Sequence, residues 1–190
     1  DGKRYTERDF VLRMSVLSLF GLPRNYMGLE GICYALYDHP SLVEEMLDWQ
    51  TYFSCEMIKQ VLAAGIVFDY AWIWEDMAYN RGSMVSLKFV RERMAPRYRQ
   101  VVDLLRSNGI DTIILDSDGD INRLIPIWLE CGINGFYPLE AAGGMDGLAL
   151  RKKYGQNIIL TCGVDKRMLS RGKAEMDGEV AKIKALLKYG

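Results

Sequence analysis

Apolar residues recur along this chain with two periods. In the first third the spacing is helical: Phe10, Val11, Met14 and Leu17 share one face after Thr6 and Asp9, and Gly21 and Pro23 close the pattern. A second, shorter helix is expected over 27–37. Ser41 follows Asp38-His39-Pro40 and has Glu44 three residues on, which reads as a capping box at the head of a long helix. That helix should run to about Ala64, with Leu42, Met46, Trp49, Phe53, Met57 and Val61 on one face and Gly65 as its stop.

After Gly65 short apolar runs alternate with amphipathic segments. Strands are expected at 67–74, 111–115, 132–137 and 158–161. Helices are expected at 87–108, kinked at Pro96, and at 121–131, 148–154 and 173–189. Strands that are apolar on both faces and separated by single helices predict parallel βα units. No GxGxxG follows the first strand, and each strand runs into a polar or acidic loop, which favours a (β/α)8 TIM barrel over an open doubly wound sheet. Eight units need about 250 residues. The 190 residues are therefore expected to form a single domain, 1–190, that is a partial barrel of about four βα units after an N-terminal helical region.

Composition narrows the function classes. Hydrophobic residues make up 49% of the chain, enough for one real core. With 24 Lys+Arg against 25 Asp+Glu the net charge is -1, and no basic block exists to hold nucleic acid. Apolar runs are interrupted by Arg24, Asp69 and Arg123 before they reach the roughly 18 residues of a membrane span. The polar start lacks the order of a signal peptide, and Cys33, Cys55, Cys131 and Cys162 show no CxxC spacing. The expectation is reduced thiols and a cytoplasmic location.

Candidate chemistry gathers where strands end. The first expected strand runs into Glu75-Asp76, the second into Asp116-Ser117-Asp118-Gly119, the third into Pro138-Leu139-Glu140 and the fourth into Cys162-Gly163-Val164-Asp165-Lys166. Parallel strands would open all four loops on one end of the sheet. Any one carboxylate there can equally be a helix cap or a solvated loop residue. Lys166 is placed to pair with a substrate carboxylate. Tyr70, Trp72, Trp74 and Tyr137 are either packing or the wall of a pocket for a flat ligand. His39, the single histidine, reads as a surface or capping residue.

In order along the chain, Trp74-Glu75-Asp76-Met77-Ala78 with Ser86, Pro96-Arg97-Tyr98, Asp116-Ser117-Asp118-Gly119, Pro138-Leu139-Glu140, Gly144-Met145-Asp146, 150–155 and Gly163-Val164-Asp165-Lys166 resemble the uroporphyrinogen decarboxylase superfamily. Its members include the haem-pathway decarboxylase and related corrinoid-linked methyltransferases. The resemblance implies the middle and later part of a (β/α)8 barrel. For a decarboxylase it implies cofactor-free decarboxylation of a porphyrinogen-type tetrapyrrole, with Asp116, Asp118, Glu75 and Asp76 as catalytic candidates. Tyr26, Trp74, Glu140, Asp165 and Lys166 would then bind substrate. Aligning Glu30-Gly31 puts Met27 where the decarboxylase has a tyrosine, with Tyr26 beside it.

For a methyltransferase the resemblance implies a methyl donor, a corrinoid protein as partner and a divalent metal as a further option. Cys162 matches a zinc-ligand position of the thiol-activating members, but Asp116-Ser117-Asp118 stands where they carry His-x-Cys, a poor set for zinc. A binding barrel without catalysis is the third reading. A homodimer is compatible with each, and no nucleic-acid or membrane partner is expected.

Overall fold

The computed structural model describes residues 7–16 and 18–189. Its centre is a five-stranded, wholly parallel sheet of β1 (Arg13–Val16), β2 (Tyr70–Trp74), β5 (Ile113–Asp116), β6 (Gly135–Leu139) and β7 (Ile159–Cys162), in that spatial order. Between β2 and β5 a small antiparallel hairpin, β3 (Ala78–Tyr79) and β4 (Gly82–Ser83), projects from the sheet's C-terminal end. Strands that follow one another in space as in sequence, each leading into a helix, make a partial TIM-like barrel.

The N-terminal region departs from the helical expectation. Residues 13–16 form β1, whose register is Arg13 opposite Tyr70 through Val16 opposite Ile73. Along it Arg13 and Ser15 are exposed while Met14 and Val16 are buried. That two-residue alternation is what a sheet face needs, and four residues are too few for the helical period to outweigh it. The helix-starting role given to Thr6 and the helical position of Leu17 lie outside the described residues. The number of parallel strands is accordingly five among the described residues.

Helix α1 (Gly21–Asp38) begins at the glycine and proline expected to end a helix. Proline in a first turn has no intrahelical partner to lose. It is interrupted at Gly28, where φ is 74° and ψ 160°. Helix α2 (Pro40–Ala63) starts one residue before Ser41, and His39 at its cap makes no side-chain capping bond. Glu44 does not close a capping box; it accepts from Arg97 at 2.7 Å and pairs with Arg93 at 3.2 Å.

The buried face of α2 is Val43, Leu47, Gln50, Thr51, Ser54, Cys55 and Ile58. Leu42, Trp49, Phe53 and Met57, expected inward, are exposed. On that face Val, Leu and Ile alternate with small polar side chains, and the Thr51 hydroxyl is satisfied by the Leu47 carbonyl at 2.7 Å.

Past β4 the chain coils as α3 (Leu87–Phe89), a π-turn (Val90–Met94) and α4 (Ala95–Ser107). Ser86 caps α3 by accepting from the Phe89 amide. Pro96 lacks an N–H and crowds the preceding turn, and the chain meets this with a wider turn closed by the Ala95 N–H on the Val90 carbonyl. Helices α5 (Ile125–Glu130), α6 (Gly147–Tyr154) and α7 (Lys173–Leu187) follow β5, β6 and β7.

The core lies between the sheet and these helices, centred on Ile73, Ile113, Leu115, Phe136, Tyr98 and Trp128. The opposite rows, Trp72 and Trp74 of β2, Asp116 of β5 and Tyr137 of β6, line the concave face and are partly exposed. Among the described residues no helix is long and apolar enough to cross a membrane.

Candidate functional site

Parallel pairing brings the strand-end residues together. Trp74 lies opposite Asp116, and Asp116 opposite Tyr137. Asp116 is the last residue of β5, half-buried, and accepts a hydrogen bond from Trp72 Nε1 at 3.2 Å. The Trp72 ring has two close neighbours: the tilted Tyr137 ring 4.8 Å away and the Arg13 guanidinium 4.8 Å from its centroid. Burial is the main reason the Asp116 carboxyl is pushed up to about 6, and the charges of Asp118 and Asp76 push the same way, while Trp72 and Arg13 oppose. Asp118 is raised as well, first by desolvation and then by Glu140 and Asp76, with Lys166 lowering it.

Of these groups Asp118 lines a cleft of about 170 Å³, together with Pro138, Glu140, Cys162, Asp165 and Lys166, and Asp116 is not on its wall. Glu140 joins two loops across it. Its Oε2 accepts the Gly119 amide at 2.9 Å and its Oε1 lies 4.0 Å from Lys166 Nζ. The loops also pack backbone on backbone: a Cβ on Gly119 would sit 2.6 Å from the Tyr79 carbonyl oxygen, and one on Gly143 2.9 Å from Gly119. Cys162 is exposed, with φ at 69°, and all four cysteines are free thiols.

Asp76 borders the group on the β2 side in a left-handed conformation, φ 43°. Arg24 of α1 binds its carboxylate at 2.8 Å and its carbonyl oxygen, and lies over Trp74 at 5.5 Å.

Other candidates take different places. Glu75 is fully buried and turned toward the β1–α1 turn, where it accepts from the Leu19 and Phe20 amides. Asp165 does line the cleft, but it is buried and forked with Arg167, which holds its carboxyl down at about 2. Tyr26 is exposed on α1 and is not among the residues lining the cleft. Among the described residues no three His, Cys, Asp or Glu side chains converge to hold a metal ion, so Cys162 stands without companion ligands.

Arg24, Arg13 and Ser117 carry no functional role in the sequence reading. Arg24 carried one signal, a lone cation inside an otherwise apolar run just past a Gly-x-Pro turn. Ser117 is buried and accepts the Met77 amide at 3.1 Å, tying the β5 end to the hairpin loop.

A barrel segment with an acid-lined C-terminal end is the class that fold and site define. No protein-family description matches the chain, and no curated protein sequence matches it. Among solved structures, a methyltransferase from Methanosarcina mazei superposes with a TM-score of 0.71 at 17% identity, over 96% of this chain and 51% of that one. At that identity the likeness is one of fold. The chain spans about half the length of the methyltransferase it matches.

Proposed function

We propose that this chain forms the acid-bearing part of a methyl-transfer site in a barrel of the uroporphyrinogen decarboxylase superfamily type. The observation that carries the reading is the position of Asp116. It lies at the C-terminal end of a barrel strand, where such folds place their chemistry, with a carboxyl at about 6 and Trp72 fixing one oxygen. The fold shared with a methyltransferase supports methyl transfer over decarboxylation.

When a methyl group leaves an oxygen, nitrogen or sulfur atom as a cation equivalent, the electron pair of the broken bond stays on that heteroatom and needs a proton. A carboxyl at about 6 is protonated to roughly a tenth at pH 7 and can supply it as a general acid. Asp118 and Asp76 keep a negative potential around Asp116 that favours its protonated form, and Lys166 at the rim can meet an anionic part of the donor. Trp74, with the Arg24 guanidinium over it, offers a flat wall. A corrinoid carried by a partner protein would supply the methyl-accepting centre, and the exposed rim residues Asp118, Val164 and Lys166 are those that would meet it. Among the described residues the donors do not converge into a metal site, and no step is assigned to a metal.

The test uses the full-length protein with methylated amines, thiols and alcohols and a reduced free corrinoid, followed by the corrinoid's visible spectrum. Methyl transfer that is lost in Asp116→Asn supports the reading. Release of carbon dioxide from uroporphyrinogen without methyl transfer overturns it in favour of decarboxylation, and inactivity in both assays favours a binding barrel.

A further inference from the structure

Glu75 is a buried carboxylate that the proposed chemistry leaves unused. It has no exposed surface, yet its oxygens are fully engaged by one turn of chain. Oε1 accepts the Leu19 amide at 2.7 Å, and Oε2 accepts the Phe20 amide at 2.8 Å and the Ser18 hydroxyl at 2.9 Å. The Ser18 oxygen in turn accepts the Gly21 amide at 2.5 Å, and Gly21 presses so closely on β2 that a Cβ there would lie 2.8 Å from the Glu75 carbonyl oxygen. From the far side the buried Tyr98 hydroxyl of α4 faces the carboxylate. Burying a carboxylate is costly unless donors surround it, so the 18–21 turn and Glu75 fix each other.

That turn begins α1, and the Arg24 amide makes the helix's first-turn bond to the Phe20 carbonyl at 2.9 Å. One turn beyond Phe20, the Arg24 guanidinium reaches the carboxylate and carbonyl of Asp76, the residue next to Glu75. The loop is thus closed from Glu75 through 18–21 and Arg24 to Asp76.

We propose that Glu75 is a positioning residue: by clamping the 18–21 turn it holds Arg24 on Asp76, so that the charge of Asp76 is compensated where it faces Asp116. The inference rests on the proposed function only for its consequence in catalysis. The geometry it explains stands without it.

Glu75→Gln is the direct test. A glutamine can accept one amide but turns a second donor toward the Phe20 N–H, so the turn loosens and Arg24 leaves Asp76. Asp116 is faced by Asp76, Asp118, Arg13 and Trp72. Uncompensated charge on Asp76 must therefore raise its midpoint further. The readout is the titration of the Asp116 side-chain carboxyl carbon by NMR in the full-length protein. An upward shift from about 6 is expected in E75Q, the same shift in Arg24→Gln, and a smaller one in Ser18→Ala.

An E75Q protein that melts earlier but titrates at the parent midpoint, beside an R24Q protein that shifts, would reduce Glu75 to a structural role and overturn the proposal. If E75Q does not fold, R24Q and S18A decide: an unshifted midpoint in R24Q overturns it, and shifts in both sustain it. No turnover is read, so inactivity in methyl transfer leaves this test intact.

Discussion

Asp116 shows how position changes what a residue type does. Exposed, it would be an ordinary carboxylate near 4. At the end of β5, half-buried beside two other acids, it titrates at about 6. Activity that depends on its proton should fall as pH rises through about 6, and Asp116→Asn should lower turnover by about 10²–10⁴-fold and remove that limb from the kcat profile.

The same shift has a stability consequence. Because the folded value lies above the unfolded one, the contribution of Asp116 is fully present below about 4 and is lost as pH rises through about 6. Asp116→Asn should therefore flatten the fall in stability between pH 4 and 7, measured by urea unfolding of parent and variant at several pH values.

Gly119 is the second residue whose place decides its identity. Its φ is 81°, and a Cβ would meet the Tyr79 carbonyl. Gly119→Ala should destabilise by about 1–3 kcal/mol in urea unfolding and displace the Asp118 loop, because both the conformation and the contact resist a methyl group.

At the scale of elements, α2 is the informative case. Two helical stripes compete along it, one of bulky apolar residues and one of Val, Leu, Ile and small polar residues, and the second faces inward. Leu47→Ala should cost about 2–5 kcal/mol, whereas Trp49→Gln should change stability by no more than about 0.5 kcal/mol, as measured by thermal or urea unfolding. A reversal of those two values would restore the bulky face to the core. β1 teaches the complementary lesson: Met14 fits both a helical stripe and an alternating one, Val16 fits only the alternating one, and pairing with β2 chose between them.

For the whole molecule, the sheet has two outer strands, β1 and β7, and three inner ones. Amides of β2, β5 and β6 are bonded and covered on both sides, while each outer strand has one unpaired side among the described strands. Native-state hydrogen exchange should show Ile113 to Asp116 exchanging with the slowest class and Arg13 to Val16 and Ile159 to Cys162 in faster ones. Equal protection across all five strands would mean that the outer edges are covered in solution.

What the sequence determined by itself was the alternation of strand and helix after Gly65 and the gathering of acids at strand ends. Continuous apolar runs flanked by turn residues have one economical arrangement, a parallel sheet under helices, and parallel strands put every following loop on the same end. Tertiary structure alone decided which acids share the cleft and which serve the scaffold. Asp118 and Glu140 line the cleft beside Lys166, whereas the carboxylate of Glu75, and that of Asp165 although it lines the same cleft, are consumed by backbone amides and Arg167. The physical reason is that a carboxylate's role is set by the donors and charges within a few ångströms of it: those of Glu75 come from residues 55 to 57 positions away and that of Glu140 from 21 away, while Asp165 is held by Arg167 two positions on. Arg24 reaching Asp76 across 52 residues is one such contact, invisible to any local pattern.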